Sequence, residues 1–99
     1  MTYFSSVSLF VQEEETFMVL FHMDNCPACK EAKKVLKASG VTSIVYIDVR
    51  DDANEAIVVG NSISSVPTAV IVSPKKRTIY PFIEGYDEAL YGKFIDGKY

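Results

Sequence analysis

Asn25-Cys26-Pro27-Ala28-Cys29-Lys30 decides how the rest of the chain is read. It carries the only two cysteines, set between an apolar run, Met18-Val19-Leu20-Phe21, and a charged pattern with helical spacing. The apolar run lacks strict alternation and predicts a buried strand over Thr16 to His22. Pro27 fits the first turn of a helix, where a missing N–H costs little. The strand therefore delivers Cys26 to a helix start, whose unpaired N–H groups and positive dipole end favour a thiolate. Cys29 lies one turn further in, within reach of whatever Cys26 captures. Dithiol–disulfide exchange is the chemistry this spacing serves.

A bridge between residues three apart closes a tiny loop and restrains the unfolded chain very little, so a structural staple is a poor use of the pair. In a reducing compartment, catalysis or metal binding is the expected use. A four-ligand metal centre needs more donors than two cysteines, and His22 is the only histidine. A second subunit would have to complete it.

Working outward, Ala28 to Ala38 has a helical pattern. Ala28, Ala32, Val35 and Leu36 line one side, and Lys30, Lys33, Lys34 and Lys37 the solvated other; Gly40 stops the helix. Ile44 to Val49 is a second strand, and Asp51 or Asp52 caps a helix from Ala53 to about Val59. Thr68 to Val72 is a third strand, and Arg77 to Phe82 returns as an antiparallel edge strand, because Pro81 cannot donate inside a sheet. Asp87 to about Ile95 forms a last helix with Leu90 and Phe94 on one face. Near the start, Ser5 or Ser6 caps a helix reaching about Glu13, with a strand over Val7 to Val11 as the alternative. The pattern predicts an α/β domain with a central mixed sheet of four to five strands and helices on both faces.

Ninety-nine residues at 48% hydrophobic content make one domain, 1–99, able to bury its own core. A net charge of −3 argues against a nucleic-acid partner. No apolar run reaches the length of a membrane span. Met1 to Ser6 carries no positive charge and no cleavage site follows, so no signal peptide is expected and a cytoplasmic location is.

Cys26-Pro27-Ala28-Cys29-Lys30 followed by Ser65-Val66-Pro67-Thr68 before a strand resembles the thioredoxin and glutaredoxin superfamily, over Thr16 to Ile95. The resemblance implies a thioredoxin-like fold, with Cys26 the nucleophile, Cys29 the resolving thiol and Pro27 and Ala28 shaping the motif. It implies that Pro67 is cis against the sulfurs and that the Val66 backbone pairs with substrate. Asn25, Thr68 and Gly85 then fall along the substrate groove. The implied function is reduction of protein disulfides, with a Cys26–Cys29 disulfide as redox centre and no bound cofactor. A thioredoxin reductase-like enzyme would supply electrons, and clients would be protein disulfides, ribonucleotide reductase being one that the family serves. The chain itself has no Gly-x-Gly-x-x-Gly fingerprint for NADPH.

Three positions depart from thioredoxins. Leu20 stands where they usually bury a carboxylate, Asn25 replaces a tryptophan, and Pro27-Ala28 begins with proline as in glutaredoxins. A glutaredoxin-type, glutathione-dependent activity is therefore the alternative, with Lys30 and Gly85-Tyr86-Asp87 as contributors to glutathione binding. A non-catalytic thioredoxin-fold adaptor is the other. His22, four residues before Cys26, is a candidate to stabilise the Cys26 thiolate as an imidazolium, or simply a strand-end histidine.

Overall fold

A computed structural model describes residues 15–99; the segment read above as a helix from Ser5 or Ser6, or as a strand over Val7 to Val11, lies outside them. Strand β1 (Phe17–His22) runs through the middle of the sheet, parallel to β2 (Ile44–Asp48) on one side and antiparallel to β3 (Thr68–Ser73) on the other. The last two strands, β4 (Thr78–Ile79) and β5 (Ile83–Glu84), both pair antiparallel with β3. The sheet is thus mixed and five-stranded.

The central position of β1 explains its unbroken apolar sequence. Met18 and Leu20 point to the face covered by helices α1 (Pro27–Ser39) and α3 (Glu88–Ile95), where Ala32, Leu36, Tyr91 and Phe94 meet them. Phe17, Val19 and Phe21 point to the opposite face, where Ile57 of helix α2 (Glu55–Gly60) closes over Val70. Every β1 residue through Phe21 is buried, so alternation would have placed polar groups against a helix on one side or the other.

Several elements differ from their sequence reading. The buried stripe of α1 is Cys29, Ala32 and Leu36, at helical spacings of three and four, while Ala28 is exposed. The second helix starts late: Asp51 caps a 3₁₀ turn over Asp52–Asn54 before α2 begins. The returning strand is split. Pro81 has no N–H to give the ladder, and the chain bulges between β4 and β5 around it. On α3, Tyr91 and Phe94 face the core and Leu90 stays 38% exposed. Asp87 is the cap rather than the first helical residue, its Oδ1 accepting from the Leu90 N–H at 3.0 Å.

Candidate active site

Three segments meet at the end of β1: the turn Met23-Asp24-Asn25, the start of α1, and the loop that enters β3. Asn25 takes a left-handed conformation, φ +61°, which turns the chain out of the strand and into the helix. Cys26 then occupies the helix cap, in extended backbone, and Pro27 sits at the first helical turn. The Cys29 N–H donates to Cys26 Sγ at 3.2 Å. The Lys30 N–H donates to the Cys26 carbonyl at 3.0 Å, closing the first helical turn. Cys26 Sγ is therefore the capping acceptor of a thirteen-residue helix.

Both cysteines are free thiols. Cys26 is 8% exposed, and Cys29 is fully buried beneath it. Burial first, and then the hydrogen bond with Cys26, push the Cys29 thiol up to about 11, against a smaller downward pull from the Met23 backbone and the Lys33 charge. The pair is unequal by construction. One residue keeps a little exposure and has an N–H aimed at its sulfur, and the other is fully enclosed with its thiol pushed up.

The loop before β3 brings Val66 and Pro67 against this pair. The Val66–Pro67 peptide is cis, and the Val66 carbonyl accepts from Cys26 Sγ at 3.8 Å. Pro67 and Thr68 are buried, and the Thr68 Oγ1 donates to the Ser65 carbonyl at 2.8 Å, which holds the loop together. Gly85, at φ +80°, donates its N–H to the Pro67 carbonyl at 2.8 Å. The structure thus links Gly85 to the Pro67 loop across eighteen residues of sequence. Beside Val66 opens a groove of about 450 Å³, lined by Met23, Val49, Val58, Ile63, Ser64 and Ser65.

His22 faces elsewhere. Lys33 Nζ donates to its Nδ1 at 3.4 Å, and its ring stands edge-on to Tyr46 with centroids 6.1 Å apart. Burial, and then the Lys33 charge, lower its pKa from 6.5, outweighing the opposing Asp48 and Asp24 charges. The imidazole is therefore neutral at neutral pH, and the imidazolium partner for Cys26 that the sequence suggested is replaced by a neutral acceptor for Lys33. Lys33 is half-buried for that reason, and does not join Lys30, Lys34 and Lys37 on the exposed side of α1. Pro27, Ala28 and Asn25 remain exposed around Cys26.

Two groups escaped sequence reasoning. Lys33 was hidden by its place in a lysine-rich helix, and Tyr91 by the more obvious Leu90–Phe94 spacing. Among the described residues no cluster of three or more His, Cys, Asp or Glu could hold a metal ion, and no helix is long and apolar enough to cross a membrane.

A family model described as glutaredoxin matches residues 18–72, from β1 through both cysteines and the Pro67 loop to β3. Among solved structures, the thioredoxin of Trichomonas vaginalis superposes with a TM-score of 0.74 at 18% identity, covering 97% of this chain and 90% of that one. Fasciola hepatica thioredoxin gives 0.73 at 18% identity, over 93% and 90% of the two chains. Mitochondrial thioredoxin 3 of Saccharomyces cerevisiae gives 0.68 at 19% identity, over 97% and 91%. At such identities the likeness is one of fold, and the fold is the thioredoxin-like one expected from the sequence. No curated protein sequence matches the chain.

Proposed function

The chain belongs to the glutaredoxin family, within the thioredoxin and glutaredoxin superfamily, and from that footing we propose that it reduces disulfides of protein clients through Cys26 and Cys29. The observation that carries the reading is the asymmetry of the two thiols: Cys26 keeps 8% exposure and its Sγ receives an N–H, and Cys29 is fully buried behind it.

The Cys26 thiolate attacks one sulfur of a client disulfide, forming a mixed disulfide, and the other client sulfur leaves with the electron pair and takes a proton. Cys29 then loses its proton and attacks Cys26 Sγ. The Cys26–client bond breaks, the client sulfur leaves reduced, and a Cys26–Cys29 disulfide remains. Two electrons have passed to the client. Burial of Cys29 keeps it protonated until the client is in place, so the resolving attack is confined to the complex. Val66 offers its backbone, and the groove beside it offers room, for an extended client segment across Cys26, with Asn25, Thr68 and Gly85 framing the contact. Pro27, Ala28 and Pro67 shape the site; His22 supports it through Lys33.

The dithiol is restored by an external reductant. The proposed one is a thioredoxin reductase-like enzyme in the cytoplasm. Glutathione is the second reading, favoured by the glutaredoxin match and by proline following Cys26. A paired turnover assay separates them. One arm supplies NADPH, thioredoxin reductase and insulin; the other supplies NADPH, glutathione reductase, glutathione and a small mixed disulfide. Turnover in the first arm, lost in Cys26→Ser, is the expected result. Turnover confined to the second arm assigns the chain to glutathione chemistry, and silence in both leaves a binding adaptor.

A further inference from the structure

The hairpin between β3 and β4 sets three exposed cations side by side, Lys75, Lys76 and Arg77. Removing their three positive charges from the net of −3 leaves −6 on the rest of the chain. Among the described residues no carboxylate forms an ion pair with any of them. Even Glu15 does not, although Phe17 lies opposite Val72 and so brings Glu15 to the same end of the sheet. The lysines of α1 are spread along a helix and partly engaged: Lys33 meets His22, and Lys37 lies 5.5 Å from the centre of the Tyr46 ring. The hairpin tip is the concentrated and unneutralised charge.

The tip is also shaped. The Arg77 N–H donates to the Pro74 carbonyl at 3.0 Å, and Thr78 Oγ1 donates to the Lys76 carbonyl at 2.9 Å. Arg77 takes φ +52°, a left-handed conformation that glycine or asparagine adopts with less strain. Arg77 and the two arms of the hairpin line a cavity of about 330 Å³, with Val72, Ser73, Pro74, Thr78 and Ile79 as the other walls. Aliphatic carbon, two hydroxyl-bearing residues and a guanidinium-bearing one therefore border a single space, and Ile79 keeps 38% exposure beside it.

We propose that this tip docks a short acidic peptide segment of a protein partner. Carboxylates of the segment meet Arg77, Lys75 and Lys76, and an aliphatic side chain next to them enters the cavity against Val72 and Ile79. Charge complementarity selects the occupant. A long nucleic acid or an anionic membrane plane would have to lie against the acidic remainder of the chain as well, whereas a short segment engages the tip alone. The surface is separate from the cysteines. β3 starts at Thr68, directly after Pro67, and ends at Ser73, which puts the tip roughly 17 Å of strand away from the Pro67 loop. A partner held there is tethered near Cys26 without touching it, which raises its effective concentration at the thiols.

The test is binding of a labelled peptide, one leucine flanked by two glutamates on each side, followed by fluorescence anisotropy and by backbone amide shifts. Saturable binding with shifts centred on residues 72–79 is expected, and a peptide with glutamines for glutamates should not bind. Neutralising each cation should weaken binding about threefold, the worth of an exposed ion pair, and all three together roughly thirtyfold. Arg77→Asn is the cleanest variant, because asparagine tolerates the left-handed position and the melting temperature should hold or rise. Lys34→Gln, on the exposed side of α1, should leave affinity unchanged. The proposal is overturned if the acidic peptide does not bind, if Lys34→Gln weakens it as much as Arg77→Asn, or if the shifts fall elsewhere. Tighter binding to a single-stranded oligonucleotide or to phosphatidylserine vesicles than to the peptide also overturns it. The assay involves no thiol chemistry, so it stands or falls independently of the proposed reduction of disulfides.

Discussion

Gly85→Ala probes the link between the last turn and the Pro67 loop, and its cost can be worked out beforehand. Gly85 sits at φ +80°, and a Cβ built there meets nothing within 4 Å, so the penalty is conformational and not steric. The left-handed region costs an L-residue about 1–2 kcal/mol. Loss of glycine's freedom in the unfolded chain returns about 0.4–1 kcal/mol. The net loss is about 1 kcal/mol, a fall of roughly 4–8 °C in Tm for a domain of this size. Gly40 is the matched control: its φ is also +80° and its Cβ position is also empty. It caps the far end of α1, about 20 Å of helix from Cys26. Gly40→Ala should lower Tm equally. Only Gly85→Ala should lower kcat/KM for a protein disulfide, by about tenfold, because an alanine relaxing away from φ +80° shifts the N–H that holds the Pro67 carbonyl. Calorimetry and a turnover assay on both variants decide it. Equal thermal losses with equal turnover refute a site role for Gly85, and no thermal loss in either variant refutes the conformational argument.

The reduced protein should have a stability plateau bounded by two groups of this site. His22 has a folded-state pKa below its ordinary 6.5, so its contribution is present above that pH and is lost as pH falls through the folded value. Urea titrations should show this acid limb flattened in His22→Gln. Cys29 is raised from 9.0 to about 11, so its contribution is present below 9.0 and is lost as pH rises toward 11. Cys29→Ser should remove that alkaline slope, and a slope retained in full would mean that burial does not hold the thiol protonated.

What the sequence disclosed, and what it withheld, follow from how local each signal is. The strand before Cys26 was legible because both of its faces are covered, which leaves a run of apolar residues that no surface strand would carry. The helix start was legible from Pro27, and the loop before β3 from Pro67. The returning edge was misread as one strand, since Pro81 marks an edge position without saying that the ladder breaks there and resumes at Ile83. On α3, Leu90 and Phe94 stand at one helical spacing and Tyr91 and Phe94 at another. Only the docking of α3 beside α1 selects the second, and Tyr91, with its polar tip, is the less expected residue to bury. The His22–Lys33 contact was out of reach for the same reason: the two are eleven residues apart and meet only because α1 packs on the face of β1 that His22 shares.

The central claim is that Cys26 attacks and Cys29 resolves, and one trapping measurement addresses it. Cys29→Ser is mixed with a protein carrying a single disulfide, quenched, and its adducts are mapped by mass spectrometry without reductant. A client bonded to Cys26 should accumulate in Cys29→Ser, be absent in Cys26→Ser, and pass in the wild type to free client thiols and a Cys26–Cys29 disulfide. Contradiction would come from no adduct at Cys26, or from Cys29 capturing the client as readily in Cys26→Ser.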